Sequence, residues 1–357
     1  MDEKKIIRVL VVDDSPLMQK MFSEMLGSDK QIEVVGVAAD PYEAREKIKQ
    51  LDPDVITLDV EMPKMDGISF LEKIMRLRPM PVVMLSTLTQ RGAQTSIQAL
   101  ELGAFDVIGK PVHEQTPETL QRLKRRLITK VKAAAQSRVG QHVAAGMTPQ
   151  STLTFTPPNP NALPLIAIGA STGGVEALRI VIAALPANTP PIVITQHMPA
   201  SFIQSFADRL NGVSNITVKQ AVEGECITAG TAYISAGDKH LCVRASGGQL
   251  RCHYDDQPEV SGHKPSVDVL FQSVAAETAG FAVGVILTGM GKDGAMGMKQ
   301  MHDAGIVNIG QNEESCVVYG MPRVAKELGA VQKELPLHKI AAGILHASAH
   351  LSGRTMT

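Results

Sequence analysis

Short β-branched runs alternate with amphipathic stretches along both halves of this 357-residue chain, and that alternation restricts its fold more than any other feature. In the first half the apolar runs fall near residues 7–12, 33–38, 54–58, 81–86 and 105–109, with helical periodicity between them. Strands separated regularly by helices form parallel sheets covered on both faces, so an α/β domain is expected. The second half repeats the rhythm with LIAIGA, VEALRIVIAAL and PIVITQH, then with FAVGVILTG and a helical run from Ala295 to Ala304. Between these, residues 216–260 read differently, because Gly-rich turns such as AGTAYISAGDKH and RASGGQLRCHY separate short alternating runs. The expectation is an antiparallel excursion set into a second, doubly wound, mostly parallel α/β domain.

One core rarely fills a chain of this length, and two domains of roughly 100–200 residues follow from size alone. Residues 133–163 have little periodicity and end in a Pro/Asn cluster, TPPNPNAL, unsuited to helix or strand. They are read as a linker between a first domain at 1–132 and a second at 164–350, with 351–357 as a tail.

Several function classes are disfavoured by composition. The formal net charge of -1 gives no general attraction to nucleic acid or anionic membrane, and the absence of Trp removes the best base-stacking side chain. From residue 164 onward, fourteen Lys/Arg face sixteen Asp/Glu without a basic recognition helix, which argues against a DNA-binding output. The basic run QRLKRRLITKVK (121–132) reads as the solvated face of a helix. Acidic residues interrupt the first apolar run, MDEKKIIRVLVVDDS, where a signal peptide needs a longer uncharged one. No stretch approaches the roughly 18 apolar residues of a membrane span, so a soluble, cytoplasmic protein without membrane insertion is expected. Cys226, Cys242, Cys252 and Cys316 lack CxxC spacing and are read as reduced thiols.

The first half carries chemistry at its strand ends. VVDDS places Asp13 and Asp14 at the carboxyl end of the first strand, and ITLD places Asp59 at the same height on the third. Three carboxylates sharing one crevice suit Mg2+, which offsets their repulsion and takes oxygen ligands. Ser86 ends the fourth strand, and Lys110 follows the fifth. With the metal bound, Asp59 can attack a phosphoryl donor while Lys110 balances charge. A single Asp in such a place reads as a helix cap, but five residues in this order do not.

The set DD, then D followed by MPKMDG, then Ser, then KP resembles the receiver domain of two-component response regulators over about residues 5–130. The resemblance implies the flavodoxin-like strand order 2-1-3-4-5 on a five-stranded parallel sheet. It implies phosphorylation of Asp59 by a histidine kinase, Mg2+ held by Asp14, Asp59 and the Glu61 carbonyl, sensing by Ser86, and a cis Lys110–Pro111 bond.

In the second half, LIAIGASTGG puts Ser171 in a tight turn between a buried strand and a helix. The loop alone admits two readings: a helix amino terminus that binds an anion, or a hydroxyl presented for attack. PIVITQHMP then sets His197 beyond the next parallel strand end, where a neutral imidazole can take the serine proton. VGVILTGMGKDG sets Asp293 beyond a further buried strand, where a carboxylate can orient His197. Taken singly, His197 reads as a structural histidine and Asp293 as a cap of the helix that follows it. The order Ser, His, Asp and the lack of GxSxG disfavour an ordinary α/β-hydrolase.

GASTGG, QHMP, GHKPSVDVLF and LTGMGKDG closely resemble the catalytic domain of the chemotaxis protein-glutamate methylesterases, the CheB family, over 164 to about 348. With the receiver and linker, the match is full length. The resemblance implies a serine hydrolase, with no cofactor for ester hydrolysis, that demethylates glutamate methyl esters on the cytoplasmic helices of chemoreceptors and deamidates certain receptor glutamines. In it Ser171 attacks, His197 relays the proton, Asp293 orients the ring, and the Met290 amide is a candidate oxyanion donor. Thr172 and His263 match positions that line the site; Thr172 also reads as bonding its own turn, and His263 as a surface residue before the helix start at Pro265 and Ser266. The chemotaxis histidine kinase and the receptors are the implied partners. Inhibition by occlusion, relieved by phosphorylation of Asp59, is the expected regulation.

Overall fold

The computed structural model describes residues 5–87, 90–111, 116–137 and 153–353. The chain divides into two compact units, 1–146 and 147–357.

In the first unit, β1 (Ile7–Val12), α1 (Pro16–Gly27), β2 (Ile32–Ala38), α2 (Pro41–Leu51), β3 (Val55–Asp59), α3 (Gly67–Leu77), β4 (Val82–Ser86), α4 (Gln90–Glu101), β5 (Asp106–Gly109) and α5 (Pro117–Gln136) alternate without interruption. The sheet runs β2-β1-β3-β4-β5, and its pairs are all parallel. Every residue of β3 and β4 is buried, as strands covered on both faces must be. Helix starts follow local chemistry. Ser15, Asp40, Asp66 and Thr116 accept first-turn amides as N-caps, and Pro16, Pro41 and Pro117 occupy first-turn positions that need no amide. Among the described residues the cis proline bond is Lys264–Pro265, and the Lys110–Pro111 bond expected to be cis is not.

The second unit contains β6 (Leu165–Ala170), α6 (Gly174–Ala183), β7 (Ile192–Gln196), α7 (Ala200–Val213), β8 (Thr217–Gln220), β9 (Thr231–Ile234), β10 (His240–Ser246), β11 (Gln249–Asp255), α8 (Val267–Glu277), β12 (Ala282–Ile286), α9 (Ala295–Asp303), β13 (Val307–Gln311), α10 (Met321–Glu327), β14 (Lys333–Leu335) and α11 (Leu337–Ser352). Seven strands form one parallel sheet in the order β14-β13-β12-β6-β7-β9-β8. Among the described strands β10 and β11 are the antiparallel pair, with isolated antiparallel bridges at Cys226–Arg251 and Val260–His263. The excursion expected over 216–260 is therefore narrower, because β8 and β9 join the main sheet in parallel. Period-2 alternation is the same for either strand direction, and the ten residues between β8 and β9, near the lower limit for a crossover, return the chain to pair in parallel.

The β10–β11 hairpin contributes Leu241, Val243 and Cys252 to the core that holds Leu270, Phe271 and Val274 of α8 and Met298 and Met301 of α9. Removing a ring such as Phe271 from that core costs about 3–5 kcal/mol. Of the stretch expected as linker, 133–136 continue α5 and 138–152 lie outside the described residues. Leu153 donates its amide to Ala184 O (3.4 Å), and Asn188 Nδ2 donates to Phe155 O (2.8 Å). The expected tail lies outside the described residues from 354 onward. The four cysteines are free thiols, and no described helix is long and apolar enough to cross a membrane.

Candidate active site and acidic pocket

Three neighbouring strands, β12, β6 and β7, end at one rim of the second sheet, and the turns that leave them carry Asp293, Ser171 and His197. Ser171 follows β6 directly, with its amide bonded to Thr288 O (3.1 Å) and its carbonyl accepting from Gly174 N (2.7 Å). The turn requires Gly173 at φ +78°, where a Cβ would also lie 2.7 Å from Val317 Cβ. His197 follows β7, and its amide donates to Ala170 O (3.1 Å). The Gln196 side chain joins the two turns by donating to Ser171 O (3.0 Å) and His197 O (3.2 Å).

The three side chains meet. His197 Nδ1 lies 3.1 Å from Ser171 Oγ, and His197 Nε2 lies 2.7 Å from Asp293 Oδ2. Because a carboxylate accepts only, Nε2 carries the proton and Nδ1 is left to receive one from the serine. Ser171 and Asp293 are both buried.

Asp293 does more than face the imidazole. Oδ2 also accepts from Val267 N (2.7 Å), while Oδ1 accepts from Ser266 Oγ (2.7 Å), Asp268 N (3.0 Å) and Gly294 N (3.0 Å). It therefore sits at the amino terminus of α8, a helix remote in sequence, where the backbone dipole favours negative charge. The helix that follows it, α9, has Gly294 as its N-cap. Burial pushes the Asp293 carboxyl up, but His197, Ser266 and Val267 outweigh it and hold it at about 2. The neighbouring Asp268 carboxyl goes the other way, raised first by its own burial and also by the Asp293 charge.

The remaining predicted residues fall around this line. His263 stacks on His197 with ring centroids 3.8 Å apart and planes at 10°. Thr172 is buried, and its carbonyl accepts from Thr288 Oγ1 (3.0 Å). Met290 follows Gly289, whose backbone packs so tightly on Ser171 that a Cβ there would lie 2.9 Å from Ser171 Cβ. Sequence reasoning passed over Gln196, Thr288 and Ser266. Ser266 looked like a helix start, and only the approach of Asp293 reveals where its hydroxyl points.

In the acidic pocket of the first unit, Lys110 Nζ bridges Asp13 Oδ2 (2.8 Å) and Asp59 Oδ2 (2.7 Å). Asp13 Oδ1 accepts from Ser15 N (3.0 Å), and Glu61 N donates to Asp59 Oδ1 (3.3 Å). One ligand atom from each of Asp13, Asp14 and Asp59 lies within 4.8 Å of the others. Burial, with the Asp13 charge adding to it, raises Asp59 to about 6 against the opposing effect of Lys110. Burial lowers Lys110, but its two carboxylates outweigh that and hold it above the ordinary lysine value. Ser86 is fully buried, its hydroxyl turned toward Thr87 O (3.2 Å) and Gly92 O (3.3 Å). Clustered carboxylates that carry more negative charge than one ammonium balances are a fitting donor set for a hard divalent cation.

Residues 166–344 match the family model for CheB methylesterase, and 9–122 match that for the response regulator receiver domain. A protein-glutamate methylesterase/protein-glutamine glutaminase 2 of Vibrio vulnificus is 52% identical, over 94% of this chain and 96% of its own length. The chain belongs to the CheB methylesterase family. A protein-glutamate methylesterase/protein-glutamine glutaminase of Agrobacterium fabrum is likewise 52% identical, over 95% of this chain and 96% of its own. Among solved structures, the CheB methylesterase catalytic domain of Thermotoga maritima aligns with a TM-score of 0.51 and 38% identity, covering 51% of this chain and 97% of that one. Family membership makes this chain a hydrolase joined to a receiver domain.

Proposed function

We propose that this protein is a phosphorylation-activated serine hydrolase that cleaves glutamate methyl esters on the cytoplasmic helices of chemoreceptors, releasing methanol, and deamidates specific receptor glutamines. The observation that carries the reading is the continuous hydrogen-bonded line from Ser171 Oγ through His197 to Asp293. As Ser171 Oγ adds to the ester carbonyl, its proton passes to His197 Nδ1, and Asp293 balances the imidazolium. Collapse of the tetrahedral adduct expels methoxide, which takes that proton and leaves as methanol. Water then gives a proton to Nδ1, adds to the acyl-enzyme and releases glutamate, and Ser171 recovers its hydrogen. A glutamine side chain follows the same course with ammonia as the leaving group. The Met290 amide is the proposed donor to the oxyanion. Thr172 and His263 line the site.

In the receiver, Asp59 is the proposed phosphoacceptor, attacking the phosphorus of a kinase phosphohistidine as the imidazole departs. Asp14, Asp59 and the Glu61 carbonyl are the proposed holders of Mg2+, with Asp13 beside them. When bound, Mg2+ neutralises phosphoryl oxygens and offsets repulsion among the carboxylates. Lys110 pairs with the new phosphoryl charge, and Ser86 senses it. The histidine kinase and the receptors are the proposed partners, and the cytoplasm is the proposed location.

Methanol release from methylated receptor membranes tests both halves. A small phosphodonor with Mg2+ should accelerate release by wild-type protein but not by Asp59→Asn, and Ser171→Ala should lose turnover by orders of magnitude while remaining folded. Wild-type rates from Ser171→Ala would overturn the hydrolase reading.

A further inference from the structure

Ser266 occupies the N-cap position of α8, yet its side chain makes no capping bond to that helix. Asp293 accepts the first amides of α8 instead, from Val267 and Asp268, and the Ser266 hydroxyl donates to Asp293 Oδ1 at 2.7 Å. A residue type whose hydroxyl ordinarily caps its own helix is here turned onto the carboxylate that faces His197. Ser266 is completely buried, so water does not compete for this bond.

Ser266 is itself held from the other side. Its amide donates to His240 Nδ1 (3.0 Å), and His240 Nε2 lies 3.2 Å from Pro258 O. An imidazole nitrogen that accepts from an amide carries no proton, so the buried His240 ring is neutral and its Nε2–H donates to the carbonyl. An unbroken series thus runs from Pro258 through His240, Ser266, Asp293 and His197 to Ser171. It anchors the rim of the parallel sheet to the first residue of the β10–β11 hairpin.

We propose that Ser266 is a positioning residue for the hydrolytic site: its hydroxyl fixes Oδ1 of Asp293 so that Oδ2 stays in line with His197 Nε2 while charge develops on the imidazole. This rests on the esterase reading given above. Oδ1 carries three donors, the Asp268 and Gly294 amides and the 2.7 Å Ser266 hydroxyl, which leaves Oδ2 to the Val267 amide and the imidazole. The titratable and charged groups around the pair are His197 with His263 stacked on it, Asp268 on α8, His240 beneath Ser266, and Lys292 on the exposed side of the loop.

The test uses full-length protein with phosphodonor and Mg2+. Ser266→Ala is expected to lower kcat by about ten- to hundredfold, the weight of one hydrogen bond to a charged group, with KM changed by less than about twofold. With one donor lost, Asp293 holds the His197 proton more tightly, so the acid limb of kcat/KM should move up by about half to one pH unit. In the absence of substrate, the downfield proton resonance of the His197–Asp293 bond should shift or broaden in the variant. Should Ser266→Ala fail to fold, Ser266→Cys, of similar volume and weaker donor strength, carries the same three readouts. A variant with wild-type kcat, an unmoved acid limb and an unchanged resonance overturns the proposal. Inactive wild-type protein would instead count against the esterase reading, and the resonance would still test Ser266.

Discussion

His197 presents its two nitrogens in the opposite sense from the familiar serine-protease arrangement: Nδ1 lies 3.1 Å from Ser171 Oγ, and Nε2 lies 2.7 Å from Asp293 Oδ2. The imidazole reaches Ser171 through the nitrogen nearer its own backbone, which is possible because His197 N is bonded to Ala170 O, one residue before the serine. Asp293 thereby selects the tautomer with the proton on Nε2. Asp293→Asn presents an amide that can donate to Nε2 and favours the other tautomer. It should lower kcat by about 10³–10⁴-fold with little change in KM, measured by steady-state methanol release.

The same carboxylate makes a statement about acid stability. Its folded pKa, about 2, lies below the ordinary value of 3.8, so its contribution is present above about pH 4 and disappears as pH falls through about 2. Asp293→Asn should therefore be less stable than wild type at pH 7 by about 2 kcal/mol, and the gap should close on acidification from pH 4 toward 2. Urea unfolding across that range would show it, and a gap independent of pH would contradict it.

Asp59 is expected to behave in the opposite way. Its folded pKa, about 6, lies above the ordinary 3.8, so its favourable contribution is present below about pH 4 and is lost as pH rises through about 6. Without divalent cation, Asp59→Asn should be more stable than wild type above pH 6, by up to about 3 kcal/mol, and equal to it near pH 4. Adding Mg2+ should narrow the difference at neutral pH by stabilising only the wild type.

Gln196 ties the serine turn to the histidine turn through one buried amide. Gln196→Ala frees the carbonyls of Ser171 and His197 from that shared donor. The expected cost is about 1–2 kcal/mol of stability and about tenfold in kcat, because the gap between Oγ and Nδ1 is no longer held. Thermal unfolding and single-turnover acylation would separate the two effects.

Gly294 stands at φ +87°, and a Cβ on it would lie 2.5 Å from Val267 Cγ1, beside the amide that bonds Asp293. Gly294→Ala must strain the turn and push α8 away from the carboxylate. A loss of about 1–3 kcal/mol is expected together with reduced turnover, measured by unfolding and methanol release on the same preparation.

Much of this arrangement was legible in the chain, because strand and helix periods are local and a strand's last residue is marked by where its apolar run stops. RVLVV, ITLD and VVMLS in one half, and LIAIGA and PIVITQ in the other, mark Asp13, Asp59, Ser86, Ser171 and His197 at strand ends, and FAVGVI marks the strand whose following loop carries Asp293. Parallel strands then bring those ends to a common rim. The direction of β8 and β9 was not legible, since alternation looks the same both ways and depends on where the crossover packs.

What the amino-acid order determined alone was the inventory: which chemical groups stand at the edges of two parallel sheets, and in what sequence. The tertiary structure decided how they are used. It turned His197 so that Nδ1 meets the hydroxyl, gave Asp293 the amino terminus of α8 to hold, and diverted Ser266 from its own helix onto that carboxylate. The reason is physical: backbone periodicity arises from neighbours a few residues apart, whereas the aim of a buried polar side chain is set by whichever donors and acceptors packing brings within 3 Å or so, from residues 25 to 96 positions away.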